Sequence, residues 1–126
     1  MRYLLDSTFV IDYLRGEQAA RSRFQSMFED GDEPLVNEVV VCEVASGTQT
    51  HPDPDLTALL EPMEFVQPGP DAPLMAGQWR IDARRRGHQL SLADALIAVA
   101  AHEAGAAVLT RNVRDFAHLP VTVETY

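Results

Sequence analysis

Lysine is absent from this chain: all ten basic residues are Arg. That removes the phosphate-binding loop ending in Gly-Lys-Ser/Thr, Schiff-base chemistry, and any site that needs a Lys. Cysteine occurs once, at Cys42, which permits neither an internal disulfide nor a cysteine zinc site. His51, His88, His102 and His118 show no metal-ligand spacing. No apolar run approaches the ~20 residues needed to cross a bilayer. Asp6 and Asp12 interrupt the opening stretch where a secretory signal would stay apolar. Internal repeats, linkers and low-complexity segments are also lacking. These absences lead us to expect a cytoplasmic protein with no membrane partner, folding as a single domain over residues 1–126.

What is there is mostly acid. Nineteen acidic against ten basic residues give a formal charge of −9. That balance argues against a protein that coats nucleic acid through a broad basic surface. It leaves room for a nucleic-acid enzyme, because clustered carboxylates can hold a metal.

Strands alternate with helices along the chain. Residues 2–5 read as a buried strand, Ser7 to Leu14 as a short helix, and Glu17 to Phe28 as an amphipathic one. Glu29 to Pro34 reads as a turn and Leu35-Val36 as a second strand. Asn37 is a candidate N-cap for Glu38 to Ser46, a segment whose periodicity fits either a helix or a continued strand. Gly47 to Pro54 reads as loop, Leu56 to Leu60 as a short helix, and Met63 to Val66 as a third strand. A helix from Ala72 to Arg86 follows the Pro68-Gly69-Pro70 break, with Gly87 at its end. Ser91 to Ala104 is the clearest helix. Ala106 to Thr110 is a strand, Asn112 to Phe116 a turn or one helical turn, and Val121 to Val123 a last strand. The alternation predicts an α/β fold with a mostly parallel sheet.

Four carboxylates stand where such a fold could use them. Asp6 follows the first strand, and parallel sheets bind ligands beyond the carboxyl ends of their strands; its alternative role is to cap the next helix. Glu43 lies among Val41, Cys42 and Val44, so its exposure should be limited and it is either aimed into a pocket or on a solvated helix face. Asp94 follows Ser91 by three, a capping pattern compatible with pointing into a cleft. Asp115 follows the strand ending Thr110-Arg111-Asn112, repeating the arrangement around Asp6, although alone it reads as a turn. Four close carboxylates repel one another, and a magnesium or manganese ion relieves that repulsion.

Taken together, "YLLDSTFVIDYL", Glu43, "RGHQLSLADALIAVAAHEAGAAVLTRNVRDFAHL" and "PVTVETY" make the chain resemble PIN-domain ribonucleases, specifically the VapC-type toxins of bacterial toxin–antitoxin pairs. The resemblance implies a three-layer α/β/α fold with strand order 3-2-1-4-5. It implies Mg2+ (or Mn2+)-dependent hydrolysis of RNA phosphodiester bonds by Asp6, Glu43, Asp94 and Asp115. In that scheme Asp6 and Asp94 are the first-choice ligands, Asp115 is the outer one, and Glu43 is a ligand or orients the attacking water. Ser7, Thr8 and Thr110 match supporting polar positions. Asn112 stands where many members have Asp, which should weaken a second metal. Arg111, Arg84 and Arg85 are candidate RNA contacts, although arginines at a helix C-terminus also complement its dipole. The resemblance also implies a cognate antitoxin and a homodimer.

Other classes fit less well. A haloacid-dehalogenase-like phosphatase wants a second Asp where Thr8 stands, and a response-regulator receiver requires a Lys. A PIN domain that only binds RNA or a partner remains the alternative to the active enzyme.

Overall fold

Tyr3, Leu4 and Leu5 are apolar without alternation, as a strand covered on both faces requires. In the computed structural model, which describes residues 1–126, they lie buried in β1 (Arg2–Leu5). The chain continues through α1 (Ser7–Leu14), α2 (Gln18–Asp30), β2 (Glu33–Val36), α3 (Glu38–Ser46), α4 (Pro54–Leu60) and β3 (Glu64–Phe65). It ends with α5 (Asp71–Arg85), α6 (Leu92–Glu103), β4 (Ala107–Leu109), a 3-10 turn (Val113–Phe116) and β5 (Val123–Glu124). All strand pairs are parallel, in the order β3-β2-β1-β4-β5. The architecture is the expected α/β/α one.

The order reverses at β1, which pairs with β2 on one side and β4 on the other. A reversal opens a crevice beyond the strand ends. Arg2 fastens the opposite end of the sheet: its guanidinium donates to Glu33 on β2, Glu64 on β3 and the carbonyl of Ala104 after α6. The main core lies around β1, β2, β4 and the helices against them. A smaller cluster of Ala72, Ala76, Ala83, Leu90, Ala95 and Val99 joins α5 to α6, where small side chains let the helices approach closely.

Several expectations change. The turn expected over Glu29–Pro34 is shorter: α2 runs to Asp30, Gly31 closes it in the left-handed region (φ 74°), and Glu33 and Pro34 belong to β2. Pro34 is tolerated there because β3 starts pairing with β2 only at Leu35, so no ladder bond is lost on that side. The last strand lies at Val123–Glu124 and not at Val121–Val123.

The ambiguous segment Glu38–Ser46 is helix α3. Asn37 decides it: its Oδ1 accepts from the Val40 amide at 3.1 Å, and Val40 and Val44, four apart, face the core. Asn37→Ala should lower unfolding free energy by about 1 kcal/mol in a denaturant titration. A strand continuation would leave that substitution close to neutral.

Candidate active site

Asp6 occupies the N-cap position of α1, yet its side chain makes no capping bond. It is 4% exposed, and its Oδ2 accepts from the Thr110 hydroxyl at 2.7 Å and the Thr8 hydroxyl at 3.0 Å. The Asp6 amide donates to the Leu109 carbonyl at 3.0 Å, continuing the β1–β4 pairing. The capping role is therefore not the one realised: two hydroxyls fix the carboxylate at the carboxyl ends of both strands.

The threonines are themselves held. Thr8 Oγ1 accepts from the Arg111 amide at 3.1 Å, and Thr110 Oγ1 from the Asn112 amide at 2.9 Å. Each hydroxyl thus receives one hydrogen bond and spends its own proton on Asp6. Ser7, also buried, donates to Glu43 Oε1 at 2.5 Å, tying α1 to α3.

Glu43 departs from expectation by being exposed, as is Cys42. Helical periodicity is the reason: Val40 and Val44 turn inward, which leaves Cys42 and Glu43 on the outer side despite their apolar sequence neighbours. Ser7 then draws the glutamate toward the strand ends.

Asp94 sits in the first turn of α6, where the Ser91 hydroxyl oxygen accepts its amide at 3.0 Å. Burial, opposed by the Ser91 hydrogen bond and reinforced by the charges of Asp6, Asp115 and Glu43, lifts its carboxyl from the ordinary 3.8 to about 6. The four predicted acids therefore share one electrostatic region. Asp115, on the 3-10 turn, and Asn112 are both exposed. No three of these groups converge closely enough to coordinate an ion by themselves. The all-oxygen donor set suits a magnesium-like ion, which keeps several waters and takes only one or two carboxylates.

Two residues not anticipated from sequence belong to the same assembly. Asp12 on α1 is buried; its Oδ1 accepts from Arg111 Nη1 at 2.5 Å and its Oδ2 from the Tyr126 hydroxyl at 2.6 Å. Burial and the neighbouring Asp12 carboxylate raise the Tyr126 phenol above its usual value. Asp12 interrupts the apolar "FVIDYL" as Glu43 interrupts "VVVCEVA", and that shared signal could have singled it out. Arg111 is thus partly committed to a protein carboxylate, while Arg84 and Arg85 are exposed at the end of α5.

In the metal-free protein, carboxyl-detected NMR should show Asp94 titrating near pH 6, and Asp6→Asn should lower that midpoint by removing one repelling charge. Because the folded value lies above 3.8, Asp94 contributes stability that is complete below pH 3.8 and lost as pH rises through about 6. Asp94→Asn should flatten that part of the stability profile. Tyr126→Phe keeps the ring edge-on to Phe9 and removes one bond to a carboxylate. We expect it to lower stability by roughly 1–2 kcal/mol in urea unfolding.

Comparison with known proteins agrees with the fold. Ribonuclease VapC19 of Mycobacterium tuberculosis (strain CDC 1551 / Oshkosh) is 29% identical over 117 residues, 93% of this chain and 94% of the relative. The crystal structure of VapBC2 from Rickettsia felis, bound to a DNA fragment from the promoter, shares the fold with a TM-score of 0.84 at 16% identity, over 100% of this chain and 99% of that one. VapBC-1 from nontypeable Haemophilus influenzae does so with a TM-score of 0.83 at 21% identity, over 99% and 98%. Residues 3–121 match the PIN domain family, and the chain belongs to it.

Proposed function

We propose that this chain is a divalent-metal-dependent endoribonuclease, the toxin of a toxin–antitoxin pair, folding as one PIN domain over residues 1–126. The observation that carries the reading is Asp6. A buried carboxylate is held by two hydroxyls at the strand-order reversal and shares its field with Asp94, Glu43 and Asp115. The similarity to Ribonuclease VapC19 supports RNA as substrate. The solved VapBC complexes support a cognate antitoxin as partner. A homodimer fits the same reading.

Asp6 and Asp94 would hold the ion, Mg2+ or Mn2+, with Asp115 as outer ligand and Glu43 binding directly or through water. When bound, such an ion activates water near neutral pH and offsets charge on the scissile phosphate. The chain's own groups prepare that chemistry. Thr8 and Thr110 hold Asp6 through Oδ2, which leaves Oδ1 unbonded by protein. Ser7 holds Glu43 through Oε1, leaving Oε2 to orient the attacking water. Arg111 has one guanidinium nitrogen on Asp12, and its other donors can meet a phosphate.

The test is cleavage of a mixed RNA pool by the antitoxin-free protein with Mg2+ or Mn2+. Asp6→Asn and Asp94→Asn should each lose more than the roughly 10- to 100-fold expected on removing an outer-shell partner. Thr110→Val should lose about that 10- to 100-fold, because it unties Asp6 without changing charge. Chelation should abolish cutting. No cutting of tRNA, ribosomal RNA or the pool with either metal would favour a PIN domain that only binds, a reading to which Asn112 in the fourth acidic position lends support.

A further inference from the structure

The RNA has to be held on both sides of the bond that is cut, and the carboxylate cluster offers little to hold it with. A second feature lies apart from the acids. The imidazoles of His88 and His118 stack at 3.9 Å between centroids with 18° between planes, and both residues are exposed. The pair joins two segments that carry proposed metal ligands. His88 precedes Ser91, which caps the first turn of α6 at Asp94, and His118 follows Asp115 by three residues. Beside the stack lies a groove of about 420 Å³, walled by Trp79 and Asp82 of α5, by Arg86 at its C-cap, and by His118, Leu119 and Pro120. Positions 79, 82 and 86 follow one another along a single helix face, so the groove runs parallel to the axis of α5.

The charge of this region is opposite to that of the chain. Arg84, Arg85 and Arg86 form its longest cationic run, all three are exposed, and none is paired with a carboxylate. The helix dipole accounts for arginines at this end. It does not account for two exposed stacked imidazoles beside Trp79, a half-buried ring that packs on both hydrophobic clusters and still walls the groove. Flat aromatic faces next to unpaired arginines are what unpaired nucleotides use: the base stacks on the ring and the phosphate meets the guanidinium.

We propose that the α5 groove with the His88–His118 stack is a subsite for an unpaired nucleotide of the RNA substrate, flanking the scissile bond. A base lies on the stack and over Trp79, and Arg86 with Arg85 takes the adjacent phosphate. Asp82 faces the same groove and offers an acceptor to a base amino group. The inference rests on the ribonuclease reading and extends it by placing part of the substrate.

Trp79 is the only tryptophan in the chain, so its fluorescence reports on the groove directly. We would titrate a labelled single-stranded RNA oligonucleotide of mixed sequence into the full chain carrying Asp6→Asn. Anisotropy and Trp79 emission would be followed together, and the same titration repeated with His88→Ala/His118→Ala and with Arg86→Ala added. RNA should quench Trp79, and the double histidine variant should weaken binding roughly 5- to 150-fold, the range for loss of one stacked base. Arg86→Ala is exposed and distant from the core, so it serves as a second variant with the fold kept. Saturable RNA binding with unchanged Trp79 emission and unchanged affinity in both variants would overturn the subsite while leaving the nuclease reading intact. Variants that bind RNA normally but fail to bind a protein partner would overturn it too, making this face a protein contact. Absence of RNA binding and cleavage by the parent chain would overturn both readings at once.

Discussion

A hydroxyl on one chain segment and a carboxylate 104 residues away hold this site together: Thr110 Oγ1 donates to Asp6 Oδ2 at 2.7 Å. The contact exists because β1 and β4 are neighbours across the reversal of strand order and end in register, Leu5 opposite Leu109. A carboxylate at 4% exposure is costly to bury without donors. Thr110, with no exposure at all, can only supply such a donor because its own oxygen and backbone are satisfied by Asn112 and Glu124. The fold and the site therefore depend on the same few atoms. Unpairing β4 from β1 would strand Asp6, and removing Asp6 would leave two threonine hydroxyls without their acceptor.

A second tie runs beside the first. Arg111 meets α1 twice, through its amide to Thr8 and its guanidinium to Asp12, and Tyr126 closes the far oxygen of Asp12. Both oxygens of this buried acid are accounted for. An ion pair with one half-exposed partner adds only modest stability; what it does fix is the direction in which Arg111 leaves the strand end. A cation is thus held by Asp12 without pairing with any of the proposed metal ligands. The proposed ligands Asp94 and Asp115 have no basic side chain bonded to them, so their mutual repulsion is left for an ion to relieve.

Much of the fold was legible because its signals are local. An unbroken apolar triplet marks β1, a serine three residues ahead of Asp94 marks the start of α6, and Gly87 marks the end of α5. The placement of Asp6 was legible for a related reason: an acid directly after a buried strand lies beyond its carboxyl end, where parallel sheets bind ligands, and only the side-chain partners set the capping alternative aside. Where reading failed, the deciding partner was distant. Pro34 looked like a turn residue because the short reach of β3 is invisible in sequence. Glu43 has apolar sequence neighbours, but its exposure is set by the helix face that Val40 and Val44 turn inward. Asp12 was passed over because its partners lie 99 and 114 residues away. Glu38–Ser46 was undecidable by periodicity, since β-branched residues favour strands and only the Asn37 cap breaks the tie.

The net charge of −9 poses a difficulty for any reading in which the substrate is a polyanion. Its resolution lies in where the charges sit. Asp12, Asp32, Glu33 and Glu64 are bound by Arg111, the terminal ammonium and Arg2, so these acids project little field. The acids left without cationic partners around Asp6 are the ones that a divalent ion would neutralise. Among the arginines without a carboxylate partner, Arg84 to Arg86 form the one consecutive run, at the end of α5 beside the aromatic groove. Screening confines each of these fields to about 8–10 Å at physiological ionic strength. A phosphate near the strand ends would therefore respond to the local ion and arginines and not to the whole-chain total. An acidic protein can in this way present a locally cationic track to RNA.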